Sequence, residues 1–163
     1  LGSDLGKLTN EVEKLCIVTE ENGIITTALI ERNVGISKDY NIFELQNAIG
    51  ARDHVKAQTI ASHLATDKEH KLFLTAAMLS SYFSKVAIVH ASQGLPQNDL
   101  AAALKVPPFF VRDYANAARH YPPAKLKEVQ HLLREADLNS KGVGNASADD
   151  GELLRELLVR VMT

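Results

Sequence analysis

The stretch SKDYNIFELQNAIGARD, residues 37–53, decides how the chain is read, because it holds a helix start, a helix stop and a second start in one short segment. Asn41 is placed to cap a helix, Glu44 three residues on to reach back to the free amides, and Tyr40 to pack on Leu45 as a hydrophobic staple. The helix is expected to stop at Gly50, and Asp53 to cap the next one at once. Two helices joined by so short a turn must fold back or bend sharply. No residue in the stretch has catalytic character.

Outward from this junction the periodicity is helical almost throughout. Leu5, Leu8, Val12, Leu15 and Cys16 form one stripe, and Ala57, Ile60, Ala61 and Leu64 a second. Leu126, Val129, Leu132, Leu133 and Ala136 repeat the pattern, and Leu153, Leu154, Leu157, Leu158 and Val161 close it. The segment LFLTAAMLSSYFSKVAIV, residues 72–89, is apolar on most of its circumference and is the expected central helix, touched on several sides. Breaks fall at Asn22-Gly23, residues 35–38, residues 94–96, Pro107-Pro108, Pro122-Pro123 and residues 142–147, each between apolar stripes. The pattern predicts about eight helices and no internal repeat. The best domain boundary is residues 35–38, because the two short helices before it are too small for a core of their own and the stretch after it is not.

Composition narrows the function. A net charge of -2, from 18 basic and 20 acidic residues among 163, lacks the excess of Lys and Arg that a phosphate-binding surface needs. The single cysteine, Cys16, excludes an internal disulfide and fits a reducing compartment; its place on an apolar stripe predicts a small buried thiol rather than a nucleophile. No apolar run approaches the roughly 20 residues needed to span a bilayer, and no basic-then-apolar start marks a signal peptide, so no membrane partner and a cytoplasmic location are expected. The chain begins LGSDLGKL, without an initiator methionine, and is expected to be a fragment whose missing N-terminal part holds the chemistry.

Six histidines raise a metal hypothesis, yet none shows i, i+4 pairing with a third ligand nearby; His63 and His70 straddle a break at Thr66-Asp67. Neither GxxxxGK[ST] nor GxGxxG after a strand is present, and Asn145-Ala146-Ser147 matches a glycosylation sequon by chance in a cytosolic protein. No catalytic, cofactor or metal residues are therefore expected. Residues 94–121, GLPQNDLAAALKVPPFFVRDYANAARHY, provide the alternative, a helix-turn-helix DNA-binding module with its tight turn at Val106 and its second helix carrying Arg112, Tyr114 and Arg119. Against it, Asp99 and Asp113 offset Lys105 and Arg112, and Phe109 and Phe110 stand where base and phosphate contacts need polar groups.

Taken together, SDLGKLTNEVEKL, ITTALIERNVG, YNIFELQNAIGARDHVKAQTIASHL, LAAALKVPPFFVRDYANAARHY and LLREADLNSKG resemble, in order and spacing, the C-terminal part of the delta subunit of the bacterial DNA polymerase III clamp loader. The resemblance implies an all-α fold: part of a small AAA+ helical lid at residues 1–37, then an orthogonal helical bundle at residues 38–163, the collar domain that holds five subunits in a ring. The opening stretch is then the passage from lid to collar. The implied role is that of a non-catalytic subunit of the DNA polymerase holoenzyme in DNA replication. Its implied partners are the delta prime and gamma/tau subunits through the collar, and the sliding clamp through the missing N-terminal domain, with DNA bound only weakly or indirectly. Family relatives that hydrolyse ATP place an arginine in the first lid helix; Asp4-Leu5-Gly6-Lys7 stands here instead, which fits a subunit without its own ATPase and leaves Lys7 without an assigned role.

A collar subunit meets two neighbours, so apolar stripes wider than one core contact are the expected subunit interface. The candidates are Phe109, Phe110 and Tyr114 near residues 108–120, and Leu154, Leu158 and Met162 on the C-terminal helix.

Overall fold

The computed structural model describes residues 5–19, 24–25, 41–66, 70–143 and 149–163. The chain divides into two units, Leu1–Asp39 and Tyr40–Thr163. In the first, helix α1 (Leu5–Val18) ends with the Thr19 hydroxyl donating to the Leu15 carbonyl at 2.6 Å. Leu15 is buried, but Val12 and Cys16 are exposed, so the predicted buried thiol is a surface one. The second short helix, the Tyr40 staple, the Lys7 side chain and the Asn145 sequon lie outside the described residues.

The second unit runs α2 (Ile42–Gly50), α3 (His54–Thr66), α4 (Leu72–Ala91), α5 (Gln97–Leu104), a 3-10 turn (Pro108–Phe110), α6 (Val111–His120), α7 (Pro123–Ser140) and α8 (Asp150–Met162). No strand occurs among the described residues. The fold is all-α, as the periodicity predicts.

The α2–α3 junction follows its local chemistry closely. The Asn41 side-chain oxygen accepts from the amides of Phe43 at 2.8 Å and Glu44 at 3.0 Å, satisfying two of the amides that a helix start leaves open. The Glu44 carboxylate meets Lys56 of α3 at 2.6 Å, a surface pair that adds at most about 1 kcal/mol but bridges the two helices. At the other end, Asp53 N–H donates to the Ala48 carbonyl and Arg52 N–H to the Ile49 carbonyl, both at 2.9 Å, with Arg52 left-handed at φ 55°. That pair of bonds is a Schellman stop. Asp53 then caps α3 by accepting from Lys56 N–H at 3.0 Å.

The helix stops at Gly50 as expected, though the left-handed position falls two residues later, at Arg52, and not on the glycine. Its lack of a side chain serves packing instead, since a Cβ there would overlap the Tyr82 hydroxyl and come within 3.2 Å of the Ala117 Cβ. α2 and α6 can approach α4 closely only because this position is bare.

α4 is the axis of the bundle, touched by α2, α5, α6, α7 and α8. Leu72, Ala76, Leu79, Phe83 and Val86 are buried along it, each large side chain worth about 1.5–3 kcal/mol of apolar transfer. Two of its polar residues pair with other parts of the chain: Ser80 exchanges bonds with Gln130 of α7 at 2.7 and 3.1 Å, and Thr75 meets His70 at 2.7 Å. The Leu72 amide donates to Asp150 at 3.0 Å, so the start of α8 caps the start of α4. With 20 residues and a mean hydropathy of 1.6 over an 18-residue window, α4 is long and apolar enough to cross a membrane by those measures alone, contrary to the sequence expectation. Its apolarity has a local cause, which is contact with helices on several sides.

α8 packs against α3, α4 and α7, and Leu154, Leu158 and Met162 are at most 2% exposed. These three, expected as interface candidates, are core residues. The wide apolar stripe of α8 reflects three neighbours inside the domain rather than a face left open for another chain.

Candidate functional site

The aromatic candidates lie around the α5–α6 connection. α5 ends in a second Schellman stop: Val106 N–H donates to the Ala101 carbonyl and Lys105 N–H to the Ala102 carbonyl, both at 3.1 Å, with Lys105 left-handed at φ 54°. The reversal therefore sits at Lys105, one residue before the predicted position. Pro107 and Pro108 prevent the helix from resuming at once, and Gln97 fixes the loop by donating to the Pro108 carbonyl at 3.0 Å. The chain then makes a single 3-10 turn that sets Phe109 and Phe110 outward, 69% and 42% exposed, with ring centroids 4.2 Å apart.

Beside this turn is a groove of about 350 Å³ between α2, α4 and α6, with Phe43, Met78, Val106, Pro107, Phe110 and Tyr114 among its walls. Phe43 is 64% exposed at its mouth. Tyr114 lies half-buried against Tyr82, centroids 5.3 Å apart, and Lys85 stands 5.8 Å above the Tyr114 ring. Burial is the main cause that pushes the Tyr114 hydroxyl above its usual range, with the negative Asp113 adding to it. The groove shares Asn47, Tyr82 and Asp113 with a second cavity of about 230 Å³, whose other walls are Gly50, Ala51 and Asn116. Tyr82 is 4% exposed, and its hydroxyl has no hydrogen-bond partner among the described residues. Burial raises that hydroxyl far above the usual tyrosine range, reinforced by Tyr114, Tyr121 and Asp113.

Of the six expected interface residues, the structure puts Phe110 and Tyr114 in the groove wall and Phe109 against Phe110 beside it, and places Leu154, Leu158 and Met162 in the core. Phe43 escapes the sequence reading, although a signal is present: it falls off the Leu45, Ala48, Ile49 stripe of α2 and so has no place in the core. The α5–turn–α6 layout has the outline of a helix-turn-helix, with Arg112 and Arg119 exposed on α6. The residues that open that second helix are nonetheless exposed phenylalanines, which offer no donors to phosphates or base edges. No three His, Cys, Asp or Glu side chains converge among the described residues.

The chain is similar to DNA polymerase III subunit delta of Bacillus subtilis (strain 168), 29% identical over 157 residues that cover 95% of this chain and 44% of that protein. It is also similar to the solved Bacillus subtilis DNA clamp loader delta protein, with a TM-score of 0.71 and 28% identity over 97% of this chain and 46% of that one. The chain thus spans less than half the length of either relative. Residues 39–160 match the C-terminal domain of the DNA polymerase III delta subunit, and the chain belongs to that family.

Proposed function

We propose that this chain is the assembly module of a clamp-loader delta subunit, acting in DNA replication without catalysis of its own. In this reading residues 38–163 are the collar that joins the delta prime and gamma/tau neighbours, and residues 1–37 are the end of an AAA+ lid. Opening of the sliding clamp belongs to a preceding domain. Supporting the domain assignment are the separation of Leu1–Asp39 from Tyr40–Thr163 and the start of the family match at residue 39. A cytoplasmic site of action follows from the same reading.

The observation that carries the proposal is the cluster of exposed aromatics, Phe43, Phe109 and Phe110, beside an open apolar groove. Exposed apolar side chains gathered in one place mark interaction sites, whereas scattered ones need no explanation. Nothing in that cluster suits phosphate contact, so DNA is expected to be held weakly and to be released as salt rises. Co-purification with delta prime and gamma/tau tests the reading. A stable complex that Phe109→Glu with Phe110→Glu disrupts is expected; a wild-type chain that never joins those subunits would overturn it.

A further inference from the structure

We propose that the joined groove is a directional docking site for a segment of a neighbouring protein that presents an apolar side chain followed by an arginine. The inference rests on the assembly reading above and adds which chemistry the neighbour brings. The apolar half, about 350 Å³ and walled in part by Phe43, Met78, Phe110 and Tyr114, has room for a large hydrophobic side chain. The adjoining cavity has a different character, being walled by the Asn47 and Asn116 amides, the Asp113 carboxylate, Tyr82 and the end of α2 at Gly50 and Ala51.

Three features of that cavity select a cation. The C-terminal end of a helix carries the negative pole of its dipole, here the end of α2. The Asp113 carboxylate is exposed there and forms no ion pair among the described residues. The Tyr82 hydroxyl is buried without a partner among the described residues, and its oxygen can accept a hydrogen bond. A planar guanidinium with five donors matches a carboxylate, amide oxygens and a phenol together better than the compact ammonium of lysine does. Asp113 lines both halves but Lys85 only the apolar one, where it lies over Tyr114, so an arginine is repelled in the apolar half and favoured in the adjoining cavity. The two charges give the groove its direction.

The probe is N-acetyl-Phe-Arg-amide, titrated into the 163-residue chain by NMR, with N-acetyl-Phe-Glu-amide as the comparison. The arginine peptide is expected to bind about five- to tenfold more tightly, the size of one charge-assisted contact, with shifts at Asn47, Tyr82 and Asn116. Asp113→Asn and Tyr82→Phe should each remove most of that preference, while Val159→Ser, on an exposed site of α8 away from the groove, should leave it intact. Melting curves taken alongside confirm that each variant is folded. Equal binding of the two peptides, or a preference untouched by both groove variants, overturns the inference. The peptide result stands apart from the assembly result: a chain that prefers the arginine peptide yet joins no clamp-loader subunit keeps the groove and loses the proposed function.

Discussion

The Tyr82 hydroxyl occupies the space that a Cβ on Gly50 would need, so the last turn of α2 and the middle of α4 are matched at a single missing methyl group. Replacing a mid-helix glycine by alanine ordinarily stabilises by about 0.5–1 kcal/mol. Gly50→Ala should instead destabilise by about 1–3 kcal/mol, because the Tyr82 ring, 4% exposed and packed against Phe83 and Tyr114, must shift to make room for the methyl. Tyr82→Phe alone should be neutral or stabilising, since it removes a buried hydroxyl without a described partner. The double variant should recover part of the loss, as the ring carbon beneath the hydroxyl would still lie 3.3 Å from the new methyl. Urea unfolding of the four proteins checks this; strictly additive effects would show that the two residues do not share the space.

How much of this is legible in the sequence depends on the range of each interaction. The Asn41 and Asp53 caps act over two or three residues, and both are readable directly. The role of Gly50 is not, because its partner Tyr82 is remote in the chain and glycine before a turn has a ready local explanation. Leu154, Leu158 and Met162 mislead for a related reason: a wide apolar stripe looks the same whether its third neighbour is α3 of the same domain or another subunit. Phe109 and Phe110 are legible as candidates because two prolines and a helix start leave them little core to enter.

Stability should fall in alkali earlier than the surface charges alone would require. Tyr121 is fully enclosed, donates to the Ile49 carbonyl at 3.0 Å, and burial pushes its hydroxyl up to about 12, with Arg52 opposing the rise. An unfolded tyrosine ionises near pH ~10, so the unfolded state loses its proton first. The contribution is therefore present in full below pH ~10 and is lost as pH climbs through about 12. It amounts to at most about 2–3 kcal/mol, with Tyr82 acting in the same direction. Chemical denaturation at stepped pH should show a shallower alkaline fall for Tyr121→Phe than for the parent; identical slopes would remove Tyr121 as the cause.

Lys105 holds a left-handed backbone at φ 54° while its side chain is exposed. That conformation costs a non-glycine residue about 1 kcal/mol or more, and glycine occupies it without a steric penalty. Lys105→Gly should raise stability by about 0.5–1 kcal/mol after the extra freedom of the unfolded chain is counted. A lower melting temperature would mean that the lysine side chain contributes contacts that outweigh its backbone strain.

If the proposed assembly role holds, it should separate from core packing most clearly between Leu158 and Phe110. Leu158 is wholly buried where α8 meets its neighbours, and Leu158→Ala should cost about 2–5 kcal/mol through lost burial and the cavity left behind. Any effect of that change on the proposed joining to clamp-loader subunits should appear only as the protein unfolds, and cooling should restore it. Phe110 is 42% exposed at the rim of the groove, so Phe110→Glu should shift stability by less than about 1 kcal/mol. Its effect belongs to binding: truncating or charging an aromatic anchor commonly removes about 2 kcal/mol or more of association energy, close to thirtyfold in affinity. Melting temperature and subunit affinity measured on both variants at one temperature decide the matter. Should Phe110→Glu bind its partners normally while remaining folded, the groove is not the face by which this domain assembles.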